Sequence, residues 1–170
     1  GQPGIAPQDR DWEVAQVVLR VLGGGGFSSR LMEAVRVQRG LTYGIGVGLD
    51  TLFGGGVVTG AFATENARVA EALEVTRGVW SDLAAQGPTE AEVEEAVAYL
   101  TGSLPLQFTD SRRIASTLLA MRRNDRPIGW LDGRNDRLRA ITRADAARLA
   151  GSLLKPDALA VTVAGQPGGM

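Results

Sequence analysis

From Val21 to Gly48 the chain reads VLGGGGFSSRLMEAVRVQRGLTYGIGVG, and this stretch organises the rest. Four consecutive glycines, Gly23 to Gly26, end the apolar helix before them, because each costs about 1 kcal/mol relative to alanine in a helix interior. Ser28 and Ser29 are N-cap residues whose hydroxyls accept the free amides of a new first turn. Leu31, Met32 and Val35 then recur at helical spacing. Gly40 stands where a left-handed cap belongs, with Arg36 and Arg39 in the last turn, where cations meet the negative end of the helix dipole. From Leu41 to Leu49, glycines alternate with β-branched and aromatic residues, the pattern of a strand whose backbone is open to close approach. The predicted unit is therefore loop, helix, tight turn and strand. Arg36 lies one turn before the cap and Tyr43 at the mouth of the strand, so both project near one helix-to-strand corner. Residue type alone also allows Arg36 on a solvated helix face and Tyr43 as half-buried packing.

The remaining composition is that of an ordinary globular domain: 170 residues, 44% hydrophobic, 22% charged, net charge -1. Residues 1–170 are read as one domain. That balance carries no electrostatic footprint for nucleic acid. There is no cysteine and no histidine, so a zinc site would rest on carboxylates alone, against the usual nitrogen and sulfur ligands. No metal or cofactor is expected in this chain. No run approaches the ~18 to 20 apolar residues of a membrane span, and the N-terminus lacks a signal pattern. Gly1 to Ile5 reads as the tail of a strand, and the chain opens without methionine, so a fragment with its first strand truncated is expected. The compartment, periplasmic or cytoplasmic, stays open. Arginine supplies every positive side chain except Lys155, a composition that, with the many alanines and glycines, suggests a bacterial source.

Outward from the central stretch, a largely buried helix is predicted over Asp9 to Leu22, a hairpin connection at Asp50 to Gly56, and a returning strand over Val57 to Thr64. Asn66 is placed as the cap of a helix over Ala67 to Gln86 with Val69, Ala70, Leu73, Trp80, Leu83 and Ala84 on its apolar face, ending at Gly87-Pro88. Thr89 with Glu92, and Thr142 with Asp145, form capping boxes. The carboxylates Glu90, Glu92, Glu94 and Glu95 suit a helix start rather than a metal. Gly102 to Pro105 ends that helix. Further helices are predicted over Ser111 to Arg123, with Ile114, Ala115, Leu118 and Leu119 inward, over Trp130 to Ala140 and over Ala146 to Leu154. A closing strand follows at Leu159 to Ala164. Trp12, Leu19, Val35, Leu73 and Leu118 are assigned to the core. The order implies an α+β fold, a mostly antiparallel sheet with helices on one face. The glycine runs lack G-K-[ST] and lead into strand, so phosphate binding is set aside.

The run LGGGGFSSRLM followed by VRVQRGLTYG resembles the second repeat of the pitrilysin/insulinase-type zinc metallopeptidases, relatives of the mitochondrial processing peptidase. The resemblance extends over nearly the whole chain, through the P-T-x-x-E helix start and Tyr99 to Ser103. In that family an arginine and a tyrosine at this spacing reach from the non-zinc half into the active site of the other half, so the resemblance assigns Arg36 and Tyr43 to substrate positioning and transition-state stabilisation. Where the family has an acidic residue after the arginine, this chain has Val37. The zinc-bearing repeat carries H-x-x-E-H on the helix that matches Asp9 to Leu22; Gln16, Leu19 and Arg20 stand there instead, and none can act as ligand or base. The resemblance thus implies a non-catalytic half of a peptidase whose partners are a peptide substrate and an H-x-x-E-H domain or subunit holding zinc. The alternative is a structural or interaction domain that kept the fold without a role in proteolysis.

Overall fold

The computed structural model describes residues 1–52 and 55–168, with Leu52 and Gln107 described by their backbones alone. Three strands, β1 (Gln2–Pro3), β2 (Ile45–Leu52) and β3 (Gly55–Phe62), form an antiparallel sheet in the order β1-β3-β2. The β2–β3 ladder runs from Ile45 opposite Phe62 to Leu52 opposite Gly55. Its strands reach further than the predicted connection, which took Asp50 to Gly56 as loop; Phe53 and Gly54 of that connection lie outside the described residues. Along β2, Ile45 and Val47 are buried while Gly46 and Gly48 are exposed, the period-two alternation of a half-buried strand.

Helices flank this sheet: α1 (Trp12–Leu22), α2 (Val69–Gln86), α3 (Glu90–Gly102), α4 (Ser111–Arg123), α5 (Arg134–Arg139) and α6 (Arg143–Leu153). The α+β architecture is the predicted one. The core lies where α1 packs on β2, α3 and α6 and where α2 packs on α6, with Val17, Val18, Leu22, Leu31, Val35 and Leu83 fully enclosed. Gln2 ties the chain start to it: its amide donates to the Leu153 carbonyl at 2.5 Å, and its oxygen accepts from Trp80 Nε1 at 3.2 Å and the Lys155 amide at 3.0 Å. Both predicted capping boxes form, at Thr89 with Glu92 and at Thr142 with Asp145.

Several expectations change. Asn66 opens a 3-10 turn (Asn66–Arg68) without capping through its side chain, and on α2 the buried alanine is Ala72, not Ala70, which is exposed. Helix α4 has the predicted span but not the predicted facing: Leu118 and Leu119 are 43% and 69% exposed, Ile114 lies out as well, and Met121 is the buried residue. Apolar spacing marks a face without saying what covers it. The predicted helix at Trp130 to Ala140 divides into a 3-10 turn (Ile128–Trp130) and α5. Leu73 and Trp12 are only partly buried.

Leu159 to Ala164, predicted as the closing strand, forms none. Its ladder is a single pair, the Gly1 amino group to the Ala160 carbonyl at 2.8 Å and the Ala160 amide to the Gly1 carbonyl at 2.9 Å. Beyond Gly1 a trough of about 580 Å³ separates this segment from β3, floored by Leu73 and Trp80 and walled by Phe62, Val161 and Val163. A strand needs a neighbour at about 4.8 Å, and among the described residues Leu159 to Ala164 is bonded to one only at Gly1.

Candidate functional site

The corner that carries Arg36 and Tyr43 is built from close backbone contacts. At Gly23 the chain leaves α1 and its carbonyl accepts from the Val47 amide at 2.9 Å. A Cβ there would stand 2.9 Å from Leu31 Cδ1 and 3.0 Å from Val47 Cγ2, so any larger residue would have to displace these packed side chains where the loop docks on the strand. The next helix is not the ordinary α-helix that the spacing predicts but a π-helix over Met32–Val37. Its wide turn shows in the Gln38 amide bonding back to the Glu33 carbonyl at 2.9 Å. Leu31, Met32 and Val35 are buried as expected; so short an apolar stripe does not separate i→i+4 from i→i+5 bonding. The Ser29 hydroxyl does not cap this helix; it donates back to the Gly26 carbonyl at 3.4 Å.

Gly40 takes the left-handed conformation, φ 59°, and its amide closes on the Arg36 carbonyl at 2.9 Å, the αL cap that the sequence predicts. Arg68 backs this corner by donating to the carbonyls of Arg39 at 3.4 Å and Gly40 at 3.5 Å while pairing with Glu71 at 3.1 Å. The strand begins later than predicted, at Ile45, leaving Leu41 to Gly44 as a bend. Thr42 fixes that bend. Its hydroxyl is 2.8 Å from both the Gly44 and Ala63 carbonyls and accepts from the Gly44 amide at 3.1 Å. With Leu41 and Ile45 buried on either side, Tyr43 stands out from a pinned backbone and is 94% exposed.

Arg36 and Tyr43 flank the same corner, and neither side chain forms a hydrogen bond or ion pair among the described residues. Arg36 is partly buried, its guanidinium carbon 4.6 Å from the centre of the Phe27 ring. A stacked guanidinium keeps its edge donors free. Arg39 differs, because its Nη1 is committed to the Ala34 carbonyl at 2.9 Å and Gln38 Oε1 at 3.2 Å. From Tyr43 onward Gly44, Gly46 and Gly48 have nothing within 4 Å of where a Cβ would be, a bare strip of backbone leading away from the corner.

A second anchor escaped the sequence reading. Arg30, at the start of this helical stretch, grips both oxygens of Glu92 with one edge of its guanidinium, Nε to Oε1 at 2.6 Å and Nη2 to Oε2 at 2.8 Å, and also donates to the Gly87 carbonyl at 3.2 Å. Burial alone would raise the Glu92 pKa, but hydrogen bonds from Arg30 and the Thr89 amide outweigh it and hold the carboxyl below the ordinary glutamate range. A carboxylate depressed on folding stabilises fully above its unfolded pKa and loses that contribution as pH falls through the lower folded value. Glu92→Gln is therefore expected to lower stability by about 1 kcal/mol near neutrality, the scale of a lost cap. The deficit should shrink on acidification below the ordinary glutamate range, as denaturant melts against pH would record; a deficit constant down to strong acid would contradict the assignment.

The three residues at the position of an inverted zinc motif are all occupied. Leu19 is 3% exposed in the core, Gln16 Oε1 accepts from Arg134 at 3.2 Å, and Arg20 donates to the Gly24 carbonyl at 3.0 Å. Among the described residues no group of three or more His, Cys, Asp or Glu is placed to hold a metal ion. A donor set without imidazole or thiolate does not fit a catalytic zinc.

Residues 1–100 match the family model described as the peptidase M16 inactive domain, and the chain belongs to that family. It is similar to an uncharacterized zinc protease of Mycobacterium bovis, 38% identical over 117 residues, which are 68% of this chain and 27% of that protein. It is also similar to a non-peptidase homologue of Helicobacter pylori, 31% identical over 109 residues, which are 64% of this chain and 25% of that protein. The chain thus spans about a quarter of the length of these curated relatives. The solved structure of a peptidase M16 inactive domain from Pseudomonas fluorescens superposes with a TM-score of 0.83 at 28% identity, covering 92% of this chain and 37% of that one. No helix among the described residues is long and apolar enough to cross a membrane.

Proposed function

We propose that this chain is the substrate-binding, non-catalytic half of a zinc-dependent peptidase, and that Arg36 and Tyr43 complete an active site whose zinc, ligands and general base belong to an H-x-x-E-H domain or subunit. The observation that carries the reading is Tyr43, 94% exposed on a bend held by Thr42, one tight turn after the helix that carries Arg36, with no hydrogen bond or ion pair to either side chain among the described residues. A large side chain displayed on fixed backbone suits a group outside the chain. Peptide hydrolysis places negative charge on the carbonyl oxygen under attack, and a tyrosine hydroxyl donates to such an oxyanion. Arg36 offers a planar fork of donors that holds substrate carbonyls in register. Neither residue supplies the nucleophile or moves the proton, which are assigned to the zinc-bearing half. The bare strip at Gly44, Gly46 and Gly48 supports close approach of an extended peptide or of that half beside Tyr43.

The second reading, a structural or interaction domain without a role in proteolysis, draws on the relative named as a non-peptidase homologue. The two part on reconstitution: an H-x-x-E-H half encoded beside this chain, active on a fluorogenic peptide only when both are present, supports the first, and activity indifferent to this chain supports the second. The isolated chain is expected to hydrolyse no peptide and to retain no stoichiometric zinc after dialysis. Chelator-sensitive turnover by the pure chain, or one tightly held zinc per chain by elemental analysis, would contradict the division of labour.

A further inference from the structure

Between α1, β2, α3 and α4, with Arg134 of α5 at its side, lies a second cavity, of about 460 Å³, lined by Arg20, Arg126 and Arg134 together with Trp12, Tyr99 and Trp130. Neither Arg36 nor Tyr43 lines it. The three guanidiniums are set on aromatic faces or enclosed: Arg20 stands 3.5 Å from the centre of the Tyr99 ring, Arg126 stands 3.8 Å from Trp130 and 4.9 Å from Trp12, and Arg134 is 7% exposed. All their hydrogen-bond acceptors are neutral. Arg20 donates to the Gly24 carbonyl at 3.0 Å, Arg126 to the Pro7 carbonyl, and Arg134 to the Leu100 carbonyl at 3.0 Å and Gln16 Oε1 at 3.2 Å. The nearby carboxylate, Glu13, is 7% exposed and already paired with Arg137 at 2.8 Å. Arg20, Arg126 and Arg134 form no ion pair among the described residues.

Each guanidinium carries five donors, and these three use one or two apiece. Burial pushes Arg126 and Arg134 below the ordinary arginine range, with Glu13 opposing it from a distance. An arriving anion relieves that cost, because an opposite charge at short range favours the charged form. A bare inorganic ion would satisfy the arginines and leave the walls idle. Those walls include Leu19, Leu49, Leu104 and Met121 beside the aromatic rings, so the cavity is matched to a carboxylate carried on an apolar body. We infer that this cavity binds the C-terminal carboxylate of a peptide ending in apolar residues, its charge balanced by the unpaired Arg20, Arg126 and Arg134 of the lining and its last side chains set against the aromatic and leucine walls. The inference deepens the peptidase reading by naming a peptide end as ligand, but uses different residues, so its failure leaves the Arg36 and Tyr43 assignment standing.

Two of the three tryptophans, Trp12 and Trp130, line the cavity, so their fluorescence reports on it. The 170-residue chain is titrated with N-acetyl-leucyl-leucine bearing a free carboxylate, with its C-terminal amide, and with inorganic phosphate. The acid is expected to change the emission saturably, with the amide and phosphate each weaker by about tenfold or more, as charge-assisted bonds and wall contacts require in turn. Arg20→Gln, at a partly exposed position that tolerates the change in volume, should weaken the acid by about tenfold and leave the amide alone, whereas Arg122→Gln on exposed α4 should do neither. Arg134→Gln is informative only if circular dichroism shows it folded; Arg20→Gln carries the test otherwise. No saturable binding, equal binding of acid and amide, phosphate binding as tightly as the peptide acid, or an Arg20→Gln chain that binds like the parent would each overturn the inference.

Discussion

Tyr43→Phe, assayed in a complex reconstituted with the zinc-bearing half, is expected to lower kcat by about 100- to 1,000-fold, the loss of about 2.7 to 4 kcal/mol seen when one oxyanion donor is removed. The substitution deletes one hydroxyl from a side chain that is 94% exposed, so no packing or stability change competes with this effect. KM should move little, because the bond forms with charge that develops only in the transition state. Arg36→Lys should act differently: it keeps the charge and loses the fork, so KM rises along with any fall in kcat. Arg39→Ala is the comparison, since Arg39 shares the helix end but spends its donors on Ala34 and Gln38. Damage from Arg39→Ala equal to that from Arg36→Ala would assign the effect to the helix end or to general charge, and the pair would have to be given up.

The second large effect is on stability. Leu22→Ala, at a position 0% exposed between α1 and its neighbours, is expected to lower the unfolding free energy by about 2 to 5 kcal/mol through lost transfer energy and an unfilled cavity. Leu118→Ala, at a position 43% exposed on α4, should stay within about 0.5 kcal/mol. Equilibrium denaturation of the two variants decides which face of α4 is inward. A large loss at Leu118 would return that helix to the core assignment made from its spacing.

What could be read before the structure was known follows from where the signal resides. Capping boxes, the Gly40 cap and the α4 span are written in adjacent residues, and local rules recover them. The buried facing of Leu31, Met32 and Val35 was likewise available from spacing. The π turn was not, since an added residue in so short a helix leaves its apolar stripe inward. The inward facing assigned to α4 failed because apolar periodicity records that a face is apolar and not what lies against it. Leu159 to Ala164 failed for a related reason: strand propensity was present, but pairing depends on a neighbour distant in sequence. At the candidate site, Arg36, Tyr43 and Gly40 came from the central stretch, whereas Thr42, Arg30 with Glu92, and Arg68 act through partners that no local pattern names. Thr42 had one local hint, a hydroxyl residue two places before a glycine, as in turns closed by a side chain.

The trough beside β3 bears on how the chain is produced. Gly1 sits at its mouth, bonded to Ala160 and one residue from the Gln2 pairing with Val58. Residues that precede Gly1, whether those of a longer natural polypeptide or of an added tag, continue from β1 beside this trough, which Leu73 and Trp80 line. An extended leader with alternating apolar residues would dock there by strand addition, and a glycine- and serine-rich one would not. Melting temperatures measured on preparations with different leaders are therefore not interchangeable, and the leader belongs in the description of each sample alongside buffer and pH.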